Sequence, residues 1–265
     1  MTRPRALITG ASSGIGASLA ALLAEKGYDL VLVARREDRL AALAEELSPT
    51  GAHAEAVGAD LSERSGLRLV TERAAAGDID LLVSNAGVSA YGPFAEIDPA
   101  ELERAWTLNA DATPALTRAA LPGMLERGRG GLIAVASNLT FSAGVPSSPA
   151  SQGRSLPQRA LYVGAKAGMV AFTRVLATEL EGTGVHAMAL CPGLVSSEWN
   201  GGASQGPNAM TPDDVAKAAW SGFSRGEVVC LPGLESVDLL QDLANTERAI
   251  MGGNLGSGLA ERYRP

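Results

Sequence analysis

Three glycines, Gly10, Gly14 and Gly16, stand between the short apolar run Ala6-Leu7-Ile8-Thr9 and a stretch whose apolar residues recur at Ile15, Leu19, Leu22 and Leu23. The run suits a buried strand, the recurrence suits one face of a helix, and the glycines let the backbone turn sharply between them. The N–H groups and dipole at the start of such a helix favour a phosphate, and the glycines let it come close to the backbone. Gly27 then ends the helix in the manner of a C-cap, and Tyr28-Asp29-Leu30-Val31-Leu32-Val33 reads as a second strand. Strand, helix and strand in this order make a βαβ unit, whose two strands run parallel.

The same alternation continues along most of the chain. Helical spacing at Leu40, Leu43 and Leu47 leads to a turn at Ser48-Pro49-Thr50-Gly51 and a strand near 53–57. A helix over about 63–76 stops at Gly77 before the strand Asp80-Leu81-Leu82-Val83-Ser84. Asp98-Pro99-Ala100-Glu101 starts a helix strongly, with Asp as N-cap, Pro in the first turn and Glu placed for a capping box. The long helix that follows contains Asn109. Leu132-Ile133-Ala134-Val135-Ala136, Val185 to Leu190 and Glu227 to Leu231 read as further strands, with helices through Val170 to Leu180, from Thr211-Pro212-Asp213-Asp214 onward, and near 238–250.

Composition narrows the function classes. With 265 residues, 46% hydrophobic and 19% charged, and no linker long enough to split it, the chain is expected to form one α/β domain over residues 1–265. A net charge of −7 argues against a nucleic-acid partner. No apolar run approaches the roughly 18 to 20 residues of a membrane span, and no signal-peptide pattern opens the chain. No membrane association and a cytoplasmic location are therefore expected. Cys191 and Cys230 read as small buried apolar residues rather than a disulfide.

Two charged patterns carry chemistry. In a parallel sheet of this kind the end of the second strand is where an adenosine ribose is read: an acid accepts the 2′-hydroxyl, an arginine takes a 2′-phosphate. The chain there is Ala34-Arg35-Arg36, with no carboxylate at the strand's immediate end. Each charge-assisted bond to a phosphate contributes roughly 1.5 to 3 kcal/mol, so NADP(H) is expected over NAD(H). The second pattern is Leu161-Tyr162-Val163-Gly164-Ala165-Lys166, which puts a phenol and an ammonium on one face of a helix. Only three lysines (Lys26, Lys166, Lys217) occur among 22 basic residues. A cation beside a phenol lowers its pKa from about 10 and makes it a usable proton donor and acceptor. Before this helix, Ser142 to Gln158 is rich in Ser, Pro, Gly and Gln and lacks periodicity, which marks a long loop.

Taken together, Thr9-Gly10-Ala11-Ser12-Ser13-Gly14-Ile15-Gly16, Asn85-Ala86-Gly87, Asn109, Tyr162 with Lys166, and Pro192-Gly193 resemble the short-chain dehydrogenase/reductase family, in its order and from Thr9 to about Leu231. The resemblance implies a Rossmann-like, doubly wound, seven-stranded parallel sheet with helices on both faces. It implies that Gly10, Ser12, Ser13, Gly14, Ile15 and Gly16 cradle the pyrophosphate of NADP(H), with Asp60 and Leu61 by the adenine. Asn85, Ala86 and Gly87 would lie by the adenine-side ribose, and Pro192, Gly193 and Val195 would flank the nicotinamide. The segment of about 196–211 matches the family's substrate lid, and a homodimer or homotetramer is expected. The tail over 234–265 matches least well, and is expected to help close the substrate pocket or make subunit contacts.

By the same resemblance Tyr162 donates a proton to a carbonyl oxygen as hydride reaches the carbon. Lys166 lowers the Tyr162 pKa and holds the nicotinamide ribose, Asn109 keeps a water against Lys166, and a serine bonds the oxygen. That serine departs from the family's spacing. Ser137 lies twenty-five residues before Tyr162 where roughly a dozen is usual, as if the loop of about 142–159 were inserted between them. Ser142, Ser147 and Ser148 compete; Ser137 is favoured because a rigid strand end positions a catalytic group better than a loop. The expected activity is the NADP(H)-dependent interconversion of a ketone or aldehyde and an alcohol. Alternatives are a 3-oxoacyl-carrier reductase with the same site, for which this acidic chain offers no obvious basic docking patch, and a non-catalytic NADP(H)-binding regulator.

Overall fold

The computed structural model describes residues 3–145, 156–198, 208–256 and 258–264. Expected as one domain, the chain divides by its internal contacts into two compact units, Met1–Pro232 and Gly233–Pro265. The first holds seven strands: β1 (Arg5–Thr9), β2 (Asp29–Ala34), β3 (Ala54–Gly58), β4 (Leu81–Ser84), β5 (Gly130–Val135), β6 (Val185–Leu190) and β7 (Val229–Cys230). They pair in parallel in the order β3-β2-β1-β4-β5-β6-β7. This is the doubly wound sheet that the βα alternation implies.

Side chains of successive strand residues point to opposite faces, and both faces are buried, which is why the strands read as unbroken apolar runs. On one face Ile8, Leu32, Val83 and Ile133 pack with Leu19 and Leu23 of α1 (Gly14–Glu25), Leu40 of α2 (Glu37–Leu47) and Val215 of α7 (Pro212–Ser224). On the other, Leu7, Val31, Leu82 and Leu132 pack with Val70 of α3 (Arg64–Ala74), Leu116 of α5 (Ala112–Arg127) and Met169 of α6 (Ala160–Glu179). By length and composition alone α6 could cross a bilayer, against the expectation that no segment could; half of it is buried in the core, and its apolarity is that of a core helix.

Chain direction across the sheet reverses between β1 and β4, and there the two strand ends are locked together. The Thr9 hydroxyl accepts from the backbone N–H groups of Asn85 (2.9 Å) and Ala86 (3.0 Å), while Asn85 Nδ2 donates to the Thr9 carbonyl at 2.9 Å. Gly10 holds φ +67° and Gly14 φ +55°, left-handed conformations that a side chain disfavours. A Cβ on Gly16 would collide with the Gly10 carbonyl and lie 2.6 Å from Asn85 Nδ2, so α1 starts this close to the strand ends only with glycine there.

Other boundaries differ from the sequence reading. Asp98 caps α4 (Pro99–Trp106) as expected, accepting from Ala100 and Glu101 N–H. The expected long helix is nevertheless interrupted, because a π-helical turn, Thr107–Asp111, separates α4 from α5. No propensity signal marks such a turn; it places an extra residue in the backbone where packing requires it. Strand β7 is two residues long, shorter than the apolar run around it. Cys191 and Cys230 are buried and unbridged. The second unit contains α8 (Asp238–Gly253), which buries none of its residues, and a 3₁₀ turn at Glu261–Tyr263.

Replacing Thr9 by Val keeps its shape and leaves the Asn85 and Ala86 N–H groups without their acceptor. A loss of about 2 to 4 kcal/mol in unfolding free energy is expected from urea titration of Thr9→Val.

Candidate active site

Strand β5 and helix α6 bring the catalytic candidates together. Ser137 follows β5 and caps a short 3₁₀ turn, Asn138–Ser142, accepting the Leu139 N–H at 3.2 Å. Tyr162 lies in the first turn of α6, buried, with the Ser137 side chain close enough to its phenol to lower its pKa. One turn further along α6, Lys166 is fully enclosed and donates from Nζ to the Val135 carbonyl at 2.8 Å. Residues twenty-five apart in sequence are thus neighbours, because β5 and α6 pack on each other.

The competing serines fare differently. Ser142 donates to the Leu139 carbonyl at 2.6 Å and accepts from Arg159 Nε at 2.9 Å. Ser147 and Ser148 lie outside the described residues. Arg159, just before α6, also donates to the carbonyls of Ser142, Val145 and Pro157. This buried guanidinium ties both ends of the expected insertion to the start of the tyrosine helix.

Electrostatics in this pocket run against one expectation. Burial raises the Tyr162 pKa well above its ordinary value, with the neighbouring Tyr91 adding in the same direction, and the Ser137 hydrogen bond only partly offsets this. The phenol therefore carries its proton at neutral pH. Lys166 is not the cause of a lowered tyrosine pKa here: its ammonium is directed at Val135, and burial depresses its own pKa to about 8. The nearby Cys191 thiol is pushed up to about 12 by burial and stays neutral.

Asn109 sits in the π-helical turn, buried, with both ends of its amide engaged by one residue. Its Oδ1 accepts the Val88 N–H at 3.1 Å and its Nδ2 donates to the Val88 carbonyl at 2.9 Å. The side chain holds the segment leaving β4. That segment carries Tyr91, whose ring meets Tyr162 edge-on at 5.2 Å. Sequence reasoning missed Tyr91 because nothing local marks an aromatic residue in an irregular stretch.

The other half of the site lies at the ends of β1, β2 and β4. Ser13 precedes α1 without a side-chain cap, leaving the helix start to accept an anion. Arg36 folds back over the glycine turn, donating to Ser12 Oγ (2.9 Å) and Ser13 Oγ (2.9 Å). Arg35 points elsewhere, 3.8 Å from Asp60, whose carboxylate accepts from the Ser62 N–H and hydroxyl. Partial burial disfavours the Asp60 charge, but the Ser62 bonds and Arg35 outweigh it and hold the carboxyl below its usual range. Leu61 is buried beside it. Asn85 and Ala86 form the β1–β4 lock with Gly87 next in the chain. The Pro192 carbonyl accepts the Asn138 N–H at 3.0 Å, which keeps Pro192 and Gly193 beside the Ser137 turn. Val195 bridges to Met210, joining the two ends of the 196–211 segment, of which 199–207 lie outside the described residues.

Residues 4–208 match the family model of the short chain dehydrogenases. The chain belongs to the short chain dehydrogenase family. A short chain dehydrogenase of Pseudocercospora fijiensis is 37% identical over 198 residues, an alignment covering 73% of this chain and 60% of that protein, so the chain spans about three fifths of that relative's length. A short-chain dehydrogenase from Sphingobium yanoikuyae, solved in complex with NADPH, superposes with a TM-score of 0.89 at 32% identity, covering 98% of this chain and all of that one. The bulky-bulky ketone specific alcohol dehydrogenase from Comamonas testosteroni superposes with a TM-score of 0.88 at 28% identity, over the whole of both chains.

In this family member the buried Lys166 should leave a mark on stability. Its folded pKa, about 8, lies below the ordinary 10.5, so between those values the unfolded chain binds a proton that the folded chain lacks. Stability contributed at this position therefore rises with pH. Relative to Lys166→Met, the wild type should gain about 2 to 3 kcal/mol between pH 7 and pH 10 in urea unfolding. A constant difference between the two proteins would mean that the ammonium is not desolvated.

Proposed function

We propose that the chain is an NADP(H)-dependent oxidoreductase that reduces a ketone or aldehyde to an alcohol, with Tyr162 as the general acid. The observation that carries this reading is the buried Tyr162 phenol with Lys166 one helical turn along α6 and Ser137, at the end of β5, close enough to act on it. Two neighbouring hydroxyl donors can converge on a single carbonyl oxygen, which is where charge develops during reduction. When bound, NADPH supplies the hydride. Ser137 bonds the oxygen and keeps it in place, and Tyr162 transfers its proton to that oxygen. Lys166, one helical turn from the phenol, carries a positive charge below pH of about 8.

The residues present fit the cofactor. The start of α1, uncapped and approached through glycine, can take a pyrophosphate. Arg36 and Arg39 already clasp a carboxylate, that of Glu198, as they would a 2′-phosphate. Lys166 and Tyr162 would hold the nicotinamide ribose, and Pro192, Gly193 and Val195 the ring's far side. The NADPH complex of the Sphingobium enzyme and the ketone named for the Comamonas enzyme support this cofactor and a ketone substrate.

Purified protein should consume NADPH over a ketone panel. Tyr162→Phe should lower kcat by roughly 10² to 10⁴-fold, and Ser137→Ala by about 10²-fold, while Ser148→Ala keeps full turnover. Because the phenol is raised and holds its proton at neutral pH, the reverse reaction needs it removed. Initial rates of alcohol oxidation with NADP⁺ should climb from pH 7 to 9.5, and ketone reduction should not. Full turnover by Tyr162→Phe would refute the assignment.

A further inference from the structure

The cluster at the end of β2 contains an anion that belongs to the chain itself. Glu198 Oε2 lies 2.8 Å from Arg36 Nη1, and its two oxygens lie 2.7 and 2.8 Å from Arg39 Nη1. Arg36 is simultaneously bonded through Nε and Nη2 to the Ser12 hydroxyl and through Nη2 to the Ser13 hydroxyl, which fixes its guanidinium over the glycine turn. The preceding residue follows the same path: a Cβ on Gly14 would come 3.2 Å from Ser197 Cβ. Residues 197 and 198 therefore lie across the face of the turn and the arginine pair.

We infer that Glu198 moderates the NADP(H) preference of this enzyme by occupying, as an internal carboxylate, the subsite of Arg36, Arg39, Ser12 and Ser13 that receives a 2′-phosphate. The inference rests on the NADP(H) reading above. A carboxylate carries one negative charge, a phosphate monoester about 1.5 to 2 at pH 7 with three acceptor oxygens, so the phosphate displaces the carboxylate rather than sharing the arginines with it. A ligand whose site is held by an internal competitor binds with an apparent affinity reduced by the fraction of chains in which the site is free. Dinucleotides without the phosphate gain nothing from displacing Glu198. The ion pairs thus tax NADP(H) and leave NAD(H) untouched, and they moderate a preference that two arginines would otherwise make steeper.

The carboxylate also reports on the pair. The Glu198 carboxyl is held below its usual range first by the Arg36 hydrogen bond and then by that of Arg39, so it is ionised throughout the neutral range. Arg39 was not expected from the sequence to take part in cofactor binding. It lies on α2, one turn beyond the strand end where the arginine pair was read, and only the fold brings it to the same carboxylate as Arg36.

The test uses adenosine fragments that lack the nicotinamide, so that catalysis plays no part. Calorimetric titration of 2′,5′-ADP and 5′-AMP into the full chain reads the phosphate subsite alone. Glu198→Gln should bind 2′,5′-ADP about threefold to tenfold more tightly than wild type, the order expected of exposed ion pairs, with 5′-AMP unchanged. Glu198→Ala should behave alike, and Arg39→Gln should weaken 2′,5′-ADP. If wild type prefers 2′,5′-ADP but the Glu198 variants bind it no better, or tighten 5′-AMP equally, the role of Glu198 is overturned and the NADP(H) reading stands. If wild type does not distinguish the two fragments, the NADP(H) reading fails and the inference fails with it.

Discussion

The hydroxyl of Thr9 accepts two backbone N–H groups from the end of a strand more than seventy residues away in the chain, and the site rests on that join. Where β1 and β4 meet, the winding of the sheet reverses, and the helices that follow them leave to opposite faces. A crevice at such a point is a property of the topology. What Thr9 and Asn85 add is rigidity: with the two strand ends bonded, Gly10 and Gly16 hold the start of α1 within contact of both, and no side chain could be admitted without pushing them apart.

The half of the site that holds Tyr162 depends on a different kind of constraint, a buried positive charge. Enclosing Lys166 is unfavourable, as its depressed pKa indicates, and the Val135 carbonyl is the partner that makes it tolerable. Ser137 follows two residues beyond that carbonyl, just past the strand end, so the group that steadies the ammonium and the group beside the phenol share one short segment. Arg159 fastens the described ends of the long loop. Through its bonds to Ser142, Val145 and Pro157 it draws the loop's ends onto the start of α6, so the unusual distance in sequence between serine and tyrosine costs nothing in register.

Charge is distributed unevenly between these halves. The chain as a whole is acidic, yet Arg36 and Arg39 converge on one spot beside the glycine turn, and an acid from the far end of the fold meets them there. Local basicity in an acidic protein serves a small anion better than a polyanion, because the overall field repels extended negative partners while short-range bonds still operate.

The sequence by itself determined the fold and the chemistry's raw parts. Alternating apolar runs and helical periodicities fix a parallel sheet because each strand must be buried on both faces, and glycines at 10, 14 and 16 are legible since no other residue allows that turn. The Tyr162–Lys166 spacing is local to one helix, so it too was visible. Tertiary structure decided what depends on distant partners. The meeting of Ser137 with Tyr162, the edge of Tyr91 against that ring, the π-helical turn that seats Asn109 and the clasp of Arg36 and Arg39 on Glu198 join segments separated by tens of residues or more. So does the protonation of the site: proximity in sequence implied that Lys166 lowers the phenol's pKa, but burial, which no spacing reveals, raises it.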